Sequence, residues 1–346
     1  MKRAFAVMLV VLLGIALSGF PFDKVKFAVI SDPHVSLPAL GVTDGFKLGT
    51  KSVELLQAAV AAVNEIPDLD FVLVPGDLTS DGEPWNIDAV KAILDELVVP
   101  YYVILGNHDI SLVPTEEKPN VITGVSRWTI VSAFQGDRGG FAMDGQSYYV
   151  RELAPGLVLV ALDTTRVSQF YGWGGQVSGP QLRWLKQVLE ANKEKFVVVM
   201  AHHNFVAWHP DEVNDPLGKK WYWFLVDNAA EVRDIFAAND VELVITGHRH
   251  ISTRYKEVDG VYYFVNPSTC TYPMRYTVYE LTPTSLSWKV FDVPAPQEVW
   301  ELAKANFLAN EWWRPSDAPK TPEGDKVYLA FYEGADFIEG TVTFED

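Results

Sequence analysis

Short apolar runs alternate with amphipathic segments along most of the chain. Five runs have the length of strands and are rich in β-branched and aromatic residues: KFAVIS, FVLVP, YYVIL, FVVVMA and ELVIT. Apolar residues recur with a helical period over residues 47–64, 84–97, 180–192 and 227–238. This alternation predicts an α/β fold.

A second set of strand patterns accompanies the first. It comprises SYYVREL, LVLVALD, VYYFVN, TVYELT and SLSWKVFDV. Strands of this number, interspersed with helices, predict two mixed sheets that face each other with helices outside. Residues 294–346 stand apart as an extension with a helix near Gln297 to Asn310, a Trp312-Trp313 pair, a proline-rich link and two strand-like stretches. Its role is unknown from sequence.

Polar motifs follow the five apolar runs and contain six of the seven histidines. They are Asp32-Pro33-His34, Gly76-Asp77, Gly106-Asn107-His108-Asp109, His202-His203 and Gly247-His248-Arg249-His250. Imidazole, carboxylate and amide groups suit a borderline metal ion, and adjacent strand ends bring distant residues together. The seven candidate ligands are Asp32, His34, Asp77, Asn107, His202, His248 and His250. They are too many for one ion, and two ions that share Asp77 would each have four protein ligands.

Each motif alone also has a structural interpretation. Gly-Asp and Asp-Pro-His are common in turns at strand ends. A turn has no need of the histidine in Gly106-Asn107-His108-Asp109, nor of two histidines in Gly247-His248-Arg249-His250. The metal prediction therefore depends on the complete set.

The order of the motifs resembles that of the calcineurin-like metallophosphoesterases: D-x-H, G-D, G-N-H-D/E, H and G-H-x-H. The resemblance extends from about Lys26 to Tyr272, and five further stretches are similar to the class III cyclic-nucleotide phosphodiesterases: GDLTSDGEPWN, LDTT, VSGPQLRWLKQVL, HHNF and NPSTC. Asn204 replaces the proline usual after the paired histidines, which affects the expected loop geometry. The resemblance implies a four-layer αββα sandwich over residues 24–293.

It also implies a division of labour among the motif residues. One ion would take Asp32, His34 and His250, the other Asn107, His202 and His248, with Asp77 bridging. The paired ions, which could be Mn, Fe, Zn or Ni, would activate water for in-line attack on phosphorus. His108 would act as general acid, oriented by Asp109, or would only support the ligands. Because Ser80 stands where purple acid phosphatases carry a tyrosine, no tyrosinate ligand is expected.

The sequence leaves two or more interpretations open for His203, for Arg249 and for the aromatic segment that follows His203. His203 either packs in the interior or faces substrate. Arg249 either contacts a phosphate or is a solvated loop residue. The aromatic segment 204–224 could stack on a nucleobase, pin its own loop to the domain, or form a homodimer contact.

Composition and charge limit the partners. The net charge of -17 opposes binding to nucleic-acid polymers, which require a basic surface. A small-molecule phosphate ester remains compatible, because metal ions reverse the local field. The single cysteine, Cys270, cannot form an internal disulfide and is expected to be a small buried residue.

The N-terminus has the pattern of a secretory signal. Lys2 and Arg3 precede an apolar run from Ala4 to Leu17, with Ser18 and Gly19 following. Residues 1–19 are therefore predicted to be a signal peptide, leaving an exported protein without a membrane span. An uncleaved N-terminal anchor is the alternative.

These observations predict an exported two-metal phosphohydrolase of small esters, narrowed to a phosphodiesterase acting on a cyclic nucleotide or similar diester. A broad phosphomonoesterase for phosphate scavenging is one alternative. A non-catalytic metal-binding scaffold is the other, although the complete ligand set and His108 argue against it.

Overall fold

The structure, a computed structural model, describes residues 20–37, 42–110, 127–166, 173–213 and 221–344. The signal-peptide prediction lies outside these residues. The strands within them are β1 (Val25–Val29), β2 (Phe71–Val74), β3 (Tyr101–Val103), β4 (Tyr149–Ala154), β5 (Leu157–Ala161), β6 (Phe196–Ala201), β7 (Leu243–Thr246), β8 (Arg254–Val258), β9 (Val261–Val265), β10 (Arg275–Thr282), β11 (Ser285–Asp292) and β12 (Glu339–Thr343).

The strands form two mixed sheets, as predicted. The first has the order β12-β11-β10-β1-β2-β3, with β1, β2 and β3 parallel and the other pairs antiparallel. The second has the order β4-β5-β6-β7-β9-β8, with β5, β6, β7 and β9 parallel. The parallel strands form the middle of the second sheet, whereas in the first sheet they extend to the β3 edge. Their apolar runs are largely buried, as is usual for parallel strands covered on both faces.

Helices flank the sheets and give the four-layer αββα arrangement. They are α1 (Ser52–Asn64), α2 (Pro84–Leu94), α3 (Arg127–Ala133), α4 (Gly179–Ala191), α5 (Ala229–Ala237), α6 (Gln297–Ala309) and α7 (Pro322–Glu333). The prediction of a helix from Lys47 was wrong at its start. Helix α1 begins at Ser52, and a 3₁₀ turn over Gly49–Lys51 precedes it.

Aromatic rings join the two sheets in the core. Tyr279 of the first sheet lies 5.6 Å from Phe264 of the second, and Trp288 lies 5.3 Å from Phe264. The Tyr279 hydroxyl donates to Asn266 Oδ1 at 2.8 Å, so its polar end is satisfied within the interior. Cys270 is buried, as expected.

The C-terminal residues are built onto the same body. Strand β12 pairs antiparallel with β11 and is the edge strand of the first sheet. One of the two predicted strand-like stretches is instead helix α7, which Thr321 caps by accepting from the Gly324 N–H at 3.1 Å. Gly334 ends the helix at φ 54°. Within the described ranges, no helix has the length and apolar content required to cross a membrane.

Candidate metal centre

The predicted ligands converge at one edge of the sandwich. They follow β1, β2 and β3 of the first sheet and β6 and β7 of the second, so the carboxyl ends of parallel strands from both sheets meet there. All seven are buried, from 0% to 7% exposed: Asp32, His34, Asp77, Asn107, His202, His248 and His250.

The first cluster contains Asp32, His34, Asp77 and His250, whose ligand atoms lie within 4.8 Å of one another. His34 Nε2 lies 3.1 Å from His250 Nε2 and 3.4 Å from Asp77 Oδ2. His250 Nε2 lies 3.2 Å from Asp32 Oδ1. Nitrogen and oxygen donors at these separations form a pocket for one cation.

The second cluster gathers around His202. Its Nε2 lies 3.0 Å from Asn107 Oδ1, 3.0 Å from His248 Nδ1 and 3.4 Å from Asp77 Oδ1. Asp77 therefore directs Oδ1 to this cluster and Oδ2 to the first. A single carboxylate with one oxygen in each cluster is the arrangement expected of a bridging ligand.

Backbone carbonyls orient two of these imidazoles. His202 Nδ1 lies 2.8 Å from the Pro75 carbonyl, and His248 Nε2 lies 3.0 Å from the Trp223 carbonyl. A ring N–H donated to a carbonyl leaves the opposite nitrogen with its lone pair. His202 Nε2 and His248 Nδ1 are therefore the nitrogens that would offer their lone pairs to a bound cation, with the Asn107 and Asp77 oxygens beside them. This donor set fits a metal ion.

Burial and the neighbouring carboxylates shift the pKa values of these histidines in opposite directions. Burial opposes protonation of His202, but the Asp77 and Asp32 carboxylates outweigh it and raise the pKa of His202 to about 9. The two carboxylates therefore favour positive charge beside His202. Burial lowers the pKa values of His34, His248 and His250, with Lys47 contributing at His34, so these rings are neutral at pH 7.

The backbone at the ligands adopts the left-handed conformation. Among the described residues, nine non-glycine positions have positive φ, and five of these are ligands: Asp32, His34, Asp77, His248 and His250. Such conformations are uncommon for residues other than glycine and persist where surrounding contacts impose them. Gly106 lets the two turns that carry Asp77 and Asn107 lie against each other, because a Cβ on residue 106 would overlap the Asp77 carboxylate.

His203 is not among the predicted ligands, although its ligand atom and those of His202 and His248 lie within 4.8 Å of one another, close enough to share an ion. Its Nδ1 lies 2.8 Å from Thr164 Oγ1, and its Nε2 lies 2.8 Å from the Trp173 carbonyl. Both ring nitrogens therefore have protein partners. Of the two interpretations left open, the packed one describes the geometry.

Ser80 and Asp81, rather than Asp109, contact the ring of His108. His108 Nδ1 lies 2.6 Å from the Ser80 carbonyl and 3.3 Å from Asp81 Oδ1. The prediction that Asp109 orients His108 was wrong. The Asp109 carboxylate instead accepts from the backbone N–H groups of Gly106, Leu78 and Thr79 at 2.8–3.1 Å. It thereby joins the turn that carries Asp77 to the turn that carries Asn107.

Lys47 is a site residue that the sequence interpretation missed. Its Nζ lies 3.0 Å from His34 Nδ1 and 2.9 Å from His108 Nε2. A cation at this position adds to the attraction of the site for phosphate. Its sequence environment carried no signal, because an isolated lysine before an amphipathic segment normally lies at the solvated start of a helix.

Arg249 lies between two ligands in sequence but is fully buried rather than solvated. It pairs with Glu212 and donates through Nη1 to the Tyr332 hydroxyl of α7 at 2.6 Å. Its guanidinium carbon lies 4.1 Å from the centroid of the Phe224 ring. These contacts hold the His248–His250 turn against the C-terminal helix.

Two facing sheets with paired histidine and carboxylate clusters at their strand ends define a metal-dependent phosphoester hydrolase. Residues 25–252 match the model of the calcineurin-like phosphoesterases, and the chain belongs to this family, whose members use a binuclear metal centre.

Two relatives and one solved structure illustrate the similarity. A 3',5'-cyclic-nucleotide phosphodiesterase of Nostoc sp. is 25% identical over 256 residues, covering 71% of this chain and 79% of the relative. The 3',5'-cyclic adenosine monophosphate phosphodiesterase CpdA of Haemophilus influenzae is 23% identical over 298 residues, covering 83% and 93%. The calcineurin-like phosphoesterase YfkN of Bacillus subtilis aligns over 84% of this chain and 98% of its own, at 12% identity and a TM-score of 0.41.

Proposed function

We propose that this metallophosphoesterase is a phosphodiesterase that hydrolyses a cyclic nucleotide or a similar small diester. The observation that carries the proposal is the division of the Asp77 carboxylate between two buried donor clusters, together with His108 beside them. The names of the Nostoc and Haemophilus relatives support the substrate class.

The residues divide the work as follows. Two bound metal ions would supply an activated water and neutralise the phosphoryl oxygens. His108 stands next to the ligand Asn107, and its Nε2 is directed to Lys47 at 2.9 Å. In the acid role, the Lys47 ammonium would pass a proton to His108 Nε2, which donates it to the leaving oxygen, while His108 Nδ1 is held by Ser80 and Asp81. Lys47 attracts the ester's negative charge to the same face.

Paired steady-state rates test the proposal. The protein is loaded with manganese and assayed with bis-p-nitrophenyl phosphate, p-nitrophenyl phosphate and 3',5'-cyclic AMP. We expect diester cleavage to exceed monoester cleavage and to be lost in Asn107→Ala. Asn239→Ala is the matched control and should retain the wild-type rates, because Asn239 follows α5 and its side chain donates only to the Ile235 carbonyl of that helix.

The other outcomes each lead to a different conclusion. Faster cleavage of the monoester would replace the proposal with a phosphomonoesterase. Retention of two metal ions without turnover of any of the three esters, also after loading with iron or zinc, would indicate a metal-binding scaffold. Diester cleavage that survives in Asn107→Ala would place the reaction elsewhere.

We further propose that the protein is exported. The support is the sequence pattern of Lys2, Arg3 and the apolar run from Ala4 to Leu17. N-terminal sequencing of protein recovered from outside the cytoplasm should begin near Phe20. A product that still begins at Met1 in the membrane fraction would indicate an uncleaved anchor.

A further inference from the structure

An aromatic rim borders the metal centre and consists of Phe46, Trp173, Trp223, Phe224, Trp312 and Trp313. Two of its rings lie almost parallel to histidines of the site. Phe46 lies 5.9 Å from His250 with an interplanar angle of 11°, and Trp173 lies 6.4 Å from His108 at 22°. The rim is therefore continuous with the residues that would handle the phosphoryl group.

Trp313 is the central member of the rim. Its ring lies 5.1 Å from Phe46, 5.3 Å from Phe224 and 6.2 Å from Trp173. Residue 313 is outside the part of the chain that matches the family model, which ends at residue 252. The C-terminal residues thus complete a wall that the family region leaves unfinished.

Five of the six rim rings retain surface that a purely packed cluster would bury; the exception is Phe224, which is 1% exposed and packs against Trp313. Phe46, Trp173, Trp223 and Trp313 are only half-buried. Trp312 is 49% exposed and stacks on Trp223 with an angle of 6°. Exposed indole faces are good platforms for a planar ring, because every nucleobase presents a π-face to stack on.

Charge separates the rim from the centre that it borders. Lys47 precedes the turn into α1 and approaches His34 and His108, whereas its neighbour Phe46 belongs to the rim. A ligand at this junction meets a cation and metal ligands on one side and flat apolar surface on the other. A nucleoside phosphate has both of these parts in one small molecule.

We propose that the aromatic rim, with Trp313 as its main platform, binds the nucleobase of the substrate by stacking while the phosphate lies at the metal centre. The proposal rests on the proposed function for the position of the phosphate. It makes Trp313 a specificity-determining residue, which favours nucleotides over diesters of two aliphatic alcohols.

A ligand with a nucleobase and a ligand without one distinguish base stacking by Trp313 from a role of Trp313 in stabilising the fold. Adenosine 5'-monophosphate and ribose 5-phosphate are titrated by calorimetry into manganese-loaded protein. We expect Trp313→Ala to weaken binding of the first by roughly five-fold to a hundred-fold and to leave the second unchanged. Trp313→Phe should recover part of the loss, because it keeps a ring at the same place.

Trp128→Ala is the matched control, since Trp128 is a 55% exposed tryptophan of α3 outside the rim. Equal weakening of both ligands in Trp313→Ala, or no weakening of either, overturns the proposal. If Trp313→Ala does not fold, an unchanged ratio of the two affinities in Trp313→Leu, which keeps apolar volume without a ring, and in Trp312→Ala overturns it instead.

Kinetics distinguish this proposal from the proposed function. The ratio of kcat/KM for 3',5'-cyclic AMP to that for glycerophosphoethanolamine should fall in Trp313→Ala. If both esters are hydrolysed and the ratio does not change in Trp313→Ala, the base-stacking proposal is wrong and the proposed phosphodiesterase function stands. Base-dependent binding without hydrolysis of any diester contradicts the proposed function and leaves the rim supported.

Discussion

Arg249 and Glu212 form an ion pair of 2.7 Å between Nε and Oε1, and neither side chain is exposed to solvent. The other Glu212 oxygen accepts from the Trp208 N–H at 2.7 Å, so the carboxylate is held from two sides. Since Arg249 separates two metal ligands in sequence, the stability of this pair and the geometry of the centre are connected.

We predict that Arg249→Leu destabilises the protein by about 3–5 kcal/mol, because it leaves the Glu212 carboxylate buried and unpaired. Urea denaturation of the metal-free protein measures the change. Arg183→Leu, on the exposed face of α4, should stay within about 0.5 kcal/mol of wild type. The double variant with Glu212→Leu should recover much of the loss, and a loss below about 1 kcal/mol in the single variant would contradict the prediction.

Replacement of Asp77 should affect both ions. Asp77→Asn removes the charge and one of the two acceptor oxygens, so we expect fewer than two bound ions per chain. Metal analysis by mass spectrometry after dialysis gives the stoichiometry. Asp240→Asn is a control with almost the same backbone conformation, φ 50° against 49°, on an exposed residue. Two tightly held ions in Asp77→Asn would show that the carboxylate is not shared.

Replacement of His108 should affect turnover and leave the metals in place. Loss of a general acid lowers kcat by roughly a hundred-fold to ten-thousand-fold. We predict this loss for His108→Ala at an unchanged metal content, measured on the same preparations. Asp81→Asn should give a smaller loss, since the Ser80 carbonyl still holds the His108 ring. A metal-depleted His108→Ala would instead identify His108 as support for the ligands.

Glu242 gives the fold a pH dependence that is independent of the metal centre. Burial raises the pKa of Glu242 to about 8, even though its Oε2 accepts from the Val197 N–H at 2.8 Å. A raised pKa means that the folded state binds the proton more tightly. The stabilisation is therefore fully present below about pH 4.5, the unfolded value, and is lost as the pH rises through 8.

The free energy of unfolding should accordingly fall by up to about 1.4 kcal/mol per pH unit from this group between pH 5 and 8. In Glu242→Gln that contribution disappears, while titration of the metal-ligand histidines is common to both proteins. Urea denaturation across this range measures the difference between the two slopes. Parallel curves for the two proteins would refute the assignment.

The parallel strands, and the convergence of the candidate ligands at their ends, were predictable because each lies in a strong local pattern. An apolar run followed by a polar motif indicates both the strand and the position where it ends, so His202 could be proposed from its own motif and Asp77 from the complete set of five motifs. The contacts of Asp109, Lys47 and Arg249 were not predictable. Each depends on which turn from another part of the chain lies opposite, and no local spacing records that.

Helix α7 shows how a local pattern can mislead. Its run Val327–Tyr332 is apolar and aromatic, which is typical of a strand. Thr321 and Pro322 before the run and Gly334 after it are helix start and stop signals, and in the structure these signals prevail. The aromatic rim was predictable only in pieces. The sequence indicated the aromatic segment 204–224 and the Trp312-Trp313 pair separately, but tertiary packing alone brings them together with Phe46 and Trp173.

The distance in sequence between His34 and His250 determines when the centre can form. The two rings meet in the first cluster although 216 positions separate them along the chain. At a synthesis rate of about 5–20 residues per second, the ribosome adds His250 on the order of ten to forty seconds after His34. The first cluster therefore cannot bind its ion with the full ligand set until about three quarters of the chain has been synthesised.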